Sequence, residues 1–163
     1  MFRQMRRSRQ QLSPERVEEI LARGSAGTLA VLGDEGYPYA VPLSYVYHGG
    51  RLYFHCAKAG HKLDAIRACD KVSFCVIDRD EVVSAEFTTY FRSVIVFGRA
   101  REVTDSAEFM DAMKALSAKY SPRESEDIPY IEQKVMNAAS LCVLAVDIEH
   151  KSGKEAIELV RKQ

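Results

Sequence analysis

The sequence predicts a mainly β, α+β fold: six strands in a small closed or nearly closed antiparallel barrel, with helices between and around them. Three observations carry this expectation. The chain has 163 residues, which suits one domain with a sizeable core and no need of disulfide or metal staples. From Gly27 onward, short runs rich in β-branched and aromatic residues alternate with turn signals such as Gly33-Asp34-Glu35-Gly36 and His48-Gly49-Gly50. Strands of that number need their edges protected, and rolling the sheet up removes them.

Composition narrows the class. Hydrophobic residues make up 47% of the chain, and 23 basic side chains balance 23 acidic ones. With no run approaching a membrane span, this reads as a soluble globular protein rather than a membrane or generally nucleic-acid-binding one. Cys56, Cys69, Cys75 and Cys142 form no C-x-x-C pair and sit in apolar contexts, as expected of reduced thiols in a cytoplasmic protein without zinc. His48 and His150 fit no metal spacing with other ligands, so no metal site is expected. Residues 1–12 form a basic arm with Arg3, Arg6, Arg7 and Arg9. A nucleic-acid arm or an organellar presequence would share that composition. Without a second basic patch, a short solvated or dimer-embracing arm is the simpler reading.

The elements follow in order within a single domain spanning 1–163. Ser13 and Pro14 form an N-cap and first-turn pair, Val17, Ile20 and Leu21 make a helical stripe, and Gly24 ends it. Thr28 to Leu32 reads as a strand and 33–36 as a hairpin turn. Tyr37 to Tyr47 then alternates as one long strand, with Tyr39, Val41, Leu43, Tyr45 and Tyr47 on one face. Pro42 within it cannot donate a ladder hydrogen bond, so it marks an edge, a bulge, or backbone facing something other than a strand, such as a flat ligand. Beyond His48-Gly49-Gly50 a third strand completes a meander, and Lys71 to Asp78 forms a fourth. Glu86 to Val103 is too long for one flat strand and should bend near Tyr90 to Arg92, with strand five starting at Ser93. Asp105 and Glu108 resemble a capping box, and Phe109, Met113, Leu116 and Tyr120 share the face of the longest helix. Ser121 to Pro129 is polar loop, Tyr130 to Ala138 a weaker helical segment, and Leu141 to Ile148 the last strand. Tyr37, Tyr39, Tyr45, Tyr47 and Tyr53 read as core and interface aromatics.

The chain is organised around Leu52 to Ile66. An apolar, aromatic strand stops at small residues ending in Gly60, and a short helix restarts at His61 with Leu63 and Ile66 inward. A strand feeding a helix N-terminus presents unpaired N–H groups and the positive end of the helix dipole, here with His61 and Lys62 on the first turn. Phosphate is the anion such a junction suits, although a plain connector with a solvated Lys62 has the same pattern.

Three motifs carry a family resemblance: Tyr-Ala-Val-Pro-Leu-Ser at 39–44, Phe-His-Cys-Ala-Lys-Ala-Gly-His-Lys at 54–62, and Tyr-Phe-Arg-Ser-Val-Ile-Val-Phe-Gly at 90–98. Together they resemble the split-barrel FMN-binding proteins related to pyridoxamine 5'-phosphate oxidase, most of all the nitroimidazole-resistance (nitroreductase) branch. The likeness runs from the basic arm through Ser152-Gly153-Lys154-Glu155-Ala156. It implies a six-stranded split β-barrel, and a homodimer with FMN bound at the subunit interface by both chains. The resemblance puts the backbone of Val41 and Pro42 and the side chain of Ser44 along the isoalloxazine. His55, Cys56 and Ala57 would lie beside the ribityl chain and ring. Gly60, His61 and Lys62 would take the phosphate, and Tyr90, Arg92 and Ser93 would come from the partner. The oxidases typically have Ser-Arg-Lys where this chain has Gly60-His61-Lys62, which exchanges a fixed charge for a titratable one. Their pyridoxal-phosphate-holding C-terminal segment has no counterpart in His150 to Gln163, so vitamin B6 oxidation is not expected.

His55 is the candidate catalytic residue, as proton donor or substrate contact beside the flavin; a satisfied inward-facing strand histidine is the alternative. Arg92 has the alternative of pairing with Glu86 or another acid. The expected function is FMN-dependent oxidation-reduction of a small-molecule acceptor, 5-nitroimidazoles in particular. A non-catalytic flavin- or haem-binding dimer of the same fold, or an unliganded module with a nucleic-acid-binding arm, would share these features.

Overall fold

A single antiparallel sheet of seven strands dominates the computed structural model, which describes residues 1–127, 129, 131–133 and 141–161. The strands are β1 (Ala26–Leu32), β2 (Pro38–Ser44), β3 (Val46–His48), β4 (Arg51–Ala57), β5 (Lys71–Val83), β6 (Thr88–Glu102) and β7 (Leu141–Glu155). The helices are α1 (Pro14–Arg23), α2 (His61–Ala68), α3 (Ser106–Tyr120) and α4 (Ile157–Arg161).

The seventh strand arises because the single strand expected over 37–47 breaks at Tyr45. Its first part pairs with β1 and its second with β4, so the expected meander is cut in two. In the order β2-β1-β5-β6-β7-β4-β3 these two pieces stand at opposite ends. Only Tyr45 separates them in the chain, so the sheet has to roll up until its ends meet. The result is an antiparallel barrel split along one seam.

Tyr45 holds that seam. Its ring is fully buried, meets Phe74 edge-on at 5.0 Å, and its hydroxyl donates to the Leu21 carbonyl at 2.8 Å. Its backbone N–H, which has no strand neighbour at the break, donates to the Tyr120 hydroxyl at the end of α3 at 2.9 Å. A side chain takes over where the ladder stops. Gly24 allows the close approach of α1, since a Cβ there would lie 2.6 Å from the Tyr45 hydroxyl.

The helices begin as local chemistry dictates. Ser13 Oγ accepts the Arg16 N–H at 3.3 Å, Pro14 opens α1, and Val17, Ile20 and Leu21 are buried. Asp105 Oδ1 accepts the Glu108 N–H at 2.8 Å, but the Glu108 carboxylate turns away to Arg101 and the Tyr53 hydroxyl, leaving the capping box half made. Through Ala112 and Leu116, α3 packs on Tyr53, Val143 and Ala145 outside the barrel, while Leu29, Phe54, Phe74, Val96 and Leu144 fill the inside.

Other expectations shift. β6 runs unbroken from Thr88, so there is no interruption at Tyr90 to Arg92. The turn lies earlier, at 84–87, where Phe87 adopts a left-handed conformation with φ 50°; near the expected bend the ladder is irregular instead, its register with β5 slipping at Ile77/Arg79 opposite Ser93/Arg92, with a second slip against β7 at Phe97/Gly98. β5 and β7 outrun their expected ends because they pair along the length of β6. Of the helical segment expected over 130–138, residues 131–133 are described and helical; the others lie outside the described residues. The basic arm folds back on its own chain, with Gln11 bridged to Lys154 and Phe2 stacked on His150 at 4.8 Å. No helix is long and apolar enough to cross a membrane among the described residues.

Candidate functional site at the barrel seam

The seam opens where β2 and β4 part. Val46 pairs with Tyr53, and extending that register by two residues sets Ser44 across from His55. There β2 has already turned away to pair with β1 through Ala26 and Ser44. The start of α2 occupies the gap: the His61 ring stacks on Tyr39 of β2 with centroids 4.2 Å apart, and its Nε2 lies 3.5 Å from the Asp34 carboxylate. Along the line where β2 and β4 part stand Val41, Pro42 and Ser44 on one side and His55, Cys56 and Ala57, followed by Gly60, His61 and Lys62, on the other.

Each contributes according to its position. β2 is an edge strand of the hydrogen-bonded order, which is where a proline without an N–H is tolerated, so of the readings of Pro42 the edge is the one found. Val41 faces the core, whereas Pro42 and Ser44 are exposed. His55 is also exposed, projecting outward between the inward Phe54 and Cys56, and has no hydrogen bond or ion pair among the described residues. It is therefore not the satisfied inward-facing histidine of the alternative reading. Cys56 is half-buried opposite Cys142; desolvation pushes its thiol pKa up, against the pull of nearby Lys62.

At Gly60 the backbone adopts φ 134°, which disfavours a side chain, and no side chain caps α2. The N–H groups of Leu63 and Asp64 reach the Gly60 carbonyl at 2.9 and 3.2 Å. Those of His61 and Lys62 have no backbone partner among the described residues. Lys62 is half-buried and makes no ion pair among the described residues, so its charge is available to an anion.

Tyr90, Arg92 and Ser93 lie elsewhere. Arg92 pairs with Glu155, the last residue of β7, while Ala57 pairs with Leu141, the first. The Arg92 and Ala57 rows are 14 positions apart on β7, about 45 Å of extended strand at ~3.3 Å per residue, whereas Ser44 pairs with Ala26 and Ser93 with Ile77, nearer one another across the rolled sheet. Arg92 Nε reaches Glu155 at 2.9 Å and its Nη1 reaches Asp78 at 3.2 Å; the carboxylates are only 6% and 10% exposed. Asp78 also takes Arg23 Nε at 3.0 Å. Tyr90 is buried in its own chain, its hydroxyl 2.6 Å from Glu86. Ser93 is half-buried between Ile77 and Lys154.

Two participants had no sequence signature. Tyr120, expected only as part of a helical stripe, anchors the seam through Tyr45 and interacts with the Ser44 side chain. Cys142 faces Cys56 across the strands, which no spacing announces.

An uncapped helix end with an uncommitted lysine suits a phosphate, and an unpaired strand edge bearing a proline suits the flat face of a ring system beside it. The donor set fits a phosphate-bearing planar ligand such as FMN. Fold and site together define an antiparallel split barrel with an uncapped helix N-terminus at its seam. The chain belongs to the pyridoxamine 5'-phosphate oxidase family, whose model matches residues 13–155. It is 28% identical over 151 residues to an uncharacterised protein of Rhizobium meliloti (strain 1021), covering 89% of this chain and 93% of that one. A candidate 5-nitroimidazole antibiotic resistance protein of Bacteroides thetaiotaomicron has a similar structure, with TM-score 0.70, 20% identity, and 89% and 86% of the two chains covered. So has an FAD- and haem-binding protein of Mycobacterium smegmatis, with TM-score 0.73, 23% identity, and 90% and 73% covered. At these identities the two structural likenesses are likenesses of fold.

Proposed function

We propose that this protein is an FMN-dependent oxidoreductase, working as a cytoplasmic homodimer, that reduces small nitroaromatic compounds with 5-nitroimidazoles as its substrate class. The observation that carries the reading is the seam, where an uncapped α2, Lys62, the free edge of β2 and an exposed His55 converge. The family includes oxidoreductases, and the structural likeness to a candidate 5-nitroimidazole resistance protein supports the substrate class. Free cysteines suit a reducing compartment.

Bound FMN would accept electrons from a reductant and deliver them to the substrate. The chain's own residues do the rest. Lys62 and the N–H groups of His61 and Lys62 hold the phosphate. The backbone of Val41 and Pro42 and the Ser44 hydroxyl orient the ring. His55 holds a proton on its imidazole for transfer to the substrate, since reduction of a nitro group consumes protons as well as electrons. The dimer has a physical motive of its own. Leu32, Ile77, Ile95 and Phe97 remain exposed on the outer face of β1, β5 and β6, while Tyr90 and Val94 are buried in their own chain. A second copy would cover that face and bring its own Tyr90, Arg92 and Ser93 toward this chain's seam.

The test is spectroscopic. Purified protein mixed with FMN should show a perturbed flavin spectrum, run as a dimer in light scattering, and, once reduced anaerobically with dithionite, be reoxidised by a 5-nitroimidazole. A Soret band would place it with the haem-binding relatives. A protein that leaves FMN unperturbed, or is monomeric at micromolar concentration, would overturn the two-chain site.

A further inference from the structure

Cys56 on β4 and Cys142 on β7 are direct register partners in an antiparallel pair. Both side chains belong to the core-facing side of the barrel, and both are free thiols. Directly opposed residues in such a pair have Cα atoms about 4.5 or 5.5 Å apart, within the 4.4–6.8 Å that disulfides span. The remaining cysteines are placed differently: Cys75 pairs with Ile95 and alternates with the buried Phe74 and Val76, and Cys69 ends α2.

We propose that Cys56 and Cys142 form a peroxide-sensitive, reversible disulfide at the foot of the seam. The two thiols are not equivalent. Cys142 is 7% exposed, and desolvation pushes its pKa up to about 12, with Cys56 and Glu102 adding to the rise. Cys56 is half-buried, and the Lys62 ammonium opposes the effect of its burial. Cys56 is therefore the attacking thiol and Cys142 the resolving one. The Cys56 thiolate attacks one oxygen of hydrogen peroxide and the O–O bond breaks, giving a sulfenic acid and, after protonation, water. Cys142 sulfur then attacks the Cys56 sulfur, the S–O bond breaks, and a second water leaves with the Cys142 proton. Two thiols lose two electrons and two protons, and peroxide becomes two waters. The bond ties the end of β4, four residues before Gly60, to the start of β7 beside the anion site. Its formation depends on strand register and does not rest on the flavin reading.

The experiment treats the purified full-length chain with hydrogen peroxide under native conditions. Titratable thiols should fall from four to two, with a mass loss of about 2 Da. A non-reducing peptide map should join the segments holding Cys56 and Cys142, and dithiothreitol should restore all the thiols. In Cys142→Ser, dimedone should capture a sulfenic acid at Cys56; in Cys56→Ser, Cys142 should stay unmodified at the same dose. Unchanged thiols in the wild type, oxygen added to Cys56 with Cys142 free, or cross-links through Cys69 or Cys75 would each overturn the proposal. The wild-type map decides even if a serine variant fails to fold.

Discussion

The two ends of β7 carry similar residue types in opposite electrostatic states. At the Leu141 end, Lys62 is half-buried without an ion pair among the described residues, α2 lacks a side-chain cap, and His55 projects outward. At the Glu155 end, Arg92 is held between two nearly buried carboxylates, Gln10 donates to the Glu155 carbonyl at 3.0 Å, and Tyr90 bonds to Glu86. A cation already matched by carboxylates mainly holds strands together. One left unmatched beside open backbone donors is available for a ligand. The comparison shows Arg92 bracing its own chain and leaves Lys62 as the uncommitted cation for the proposed ligand, a difference that mutation can test.

The largest effect should come from Arg92→Ala. It removes one cation from Glu155 and one from Asp78, which keeps Arg23, at side chains 6% and 10% exposed, and breaking such a pair costs up to about 3–5 kcal/mol. Urea unfolding should show that loss, and a loss below about 1 kcal/mol would mean the pair is effectively solvated.

Next is His55→Ala, which should fold, dimerise and keep FMN while losing about 10²-fold in turnover of a 5-nitroimidazole by the chemically reduced protein. His55→Gln should lose nearly as much, because it retains hydrogen bonding without an imidazole to pass the proton. Normal turnover in both would assign the proton to solvent, and loss of flavin would make His55 a structural residue.

Lys62→Ala should weaken FMN binding by about 1.5–3 kcal/mol, the range of a hydrogen bond to a charged group, while riboflavin binding and urea stability stay nearly unchanged. Equal losses for FMN and riboflavin in a titration would place Lys62 away from the phosphate.

The smallest effect concerns the Arg101 network beneath α3, a second case in which a cation is matched within the fold. The Arg101 hydrogen bonds hold the Glu108 carboxyl below its ordinary 4.5, against the opposing effect of burial. A carboxylate depressed in the folded state contributes stability above its unfolded pKa and loses it as the pH falls through the folded value. Arg101→Gln should therefore flatten the acid limb of the stability curve below pH 4.5, by about 1 kcal/mol or less for so accessible a group. An unchanged limb in acid titrations followed by circular dichroism would show that Glu108 is held by something else.

Features set by neighbours in the chain were legible before the fold was known. Ser13 and Pro14 start α1, Asp105 starts α3, and Gly60 with His61 and Lys62 forms an open helix end, because capping needs groups within one turn. The alternation of Tyr39, Val41 and Leu43 likewise marked the core face of β2, since side-chain direction in a strand follows from the backbone itself. Tertiary structure decided what depended on distant partners. The break at Tyr45 needs the Tyr120 hydroxyl 75 positions away. Arg92 finds carboxylates 14 and 63 positions away, and strand register alone sets Cys56 against Cys142. Periodicity and capping describe a residue's own neighbourhood, whereas pairing across a rolled sheet depends on which strands meet. The residue types at the seam were therefore present in the sequence as a pattern, while their assembly into an opening, and the closing of Arg92 onto its own carboxylates, came only with the fold.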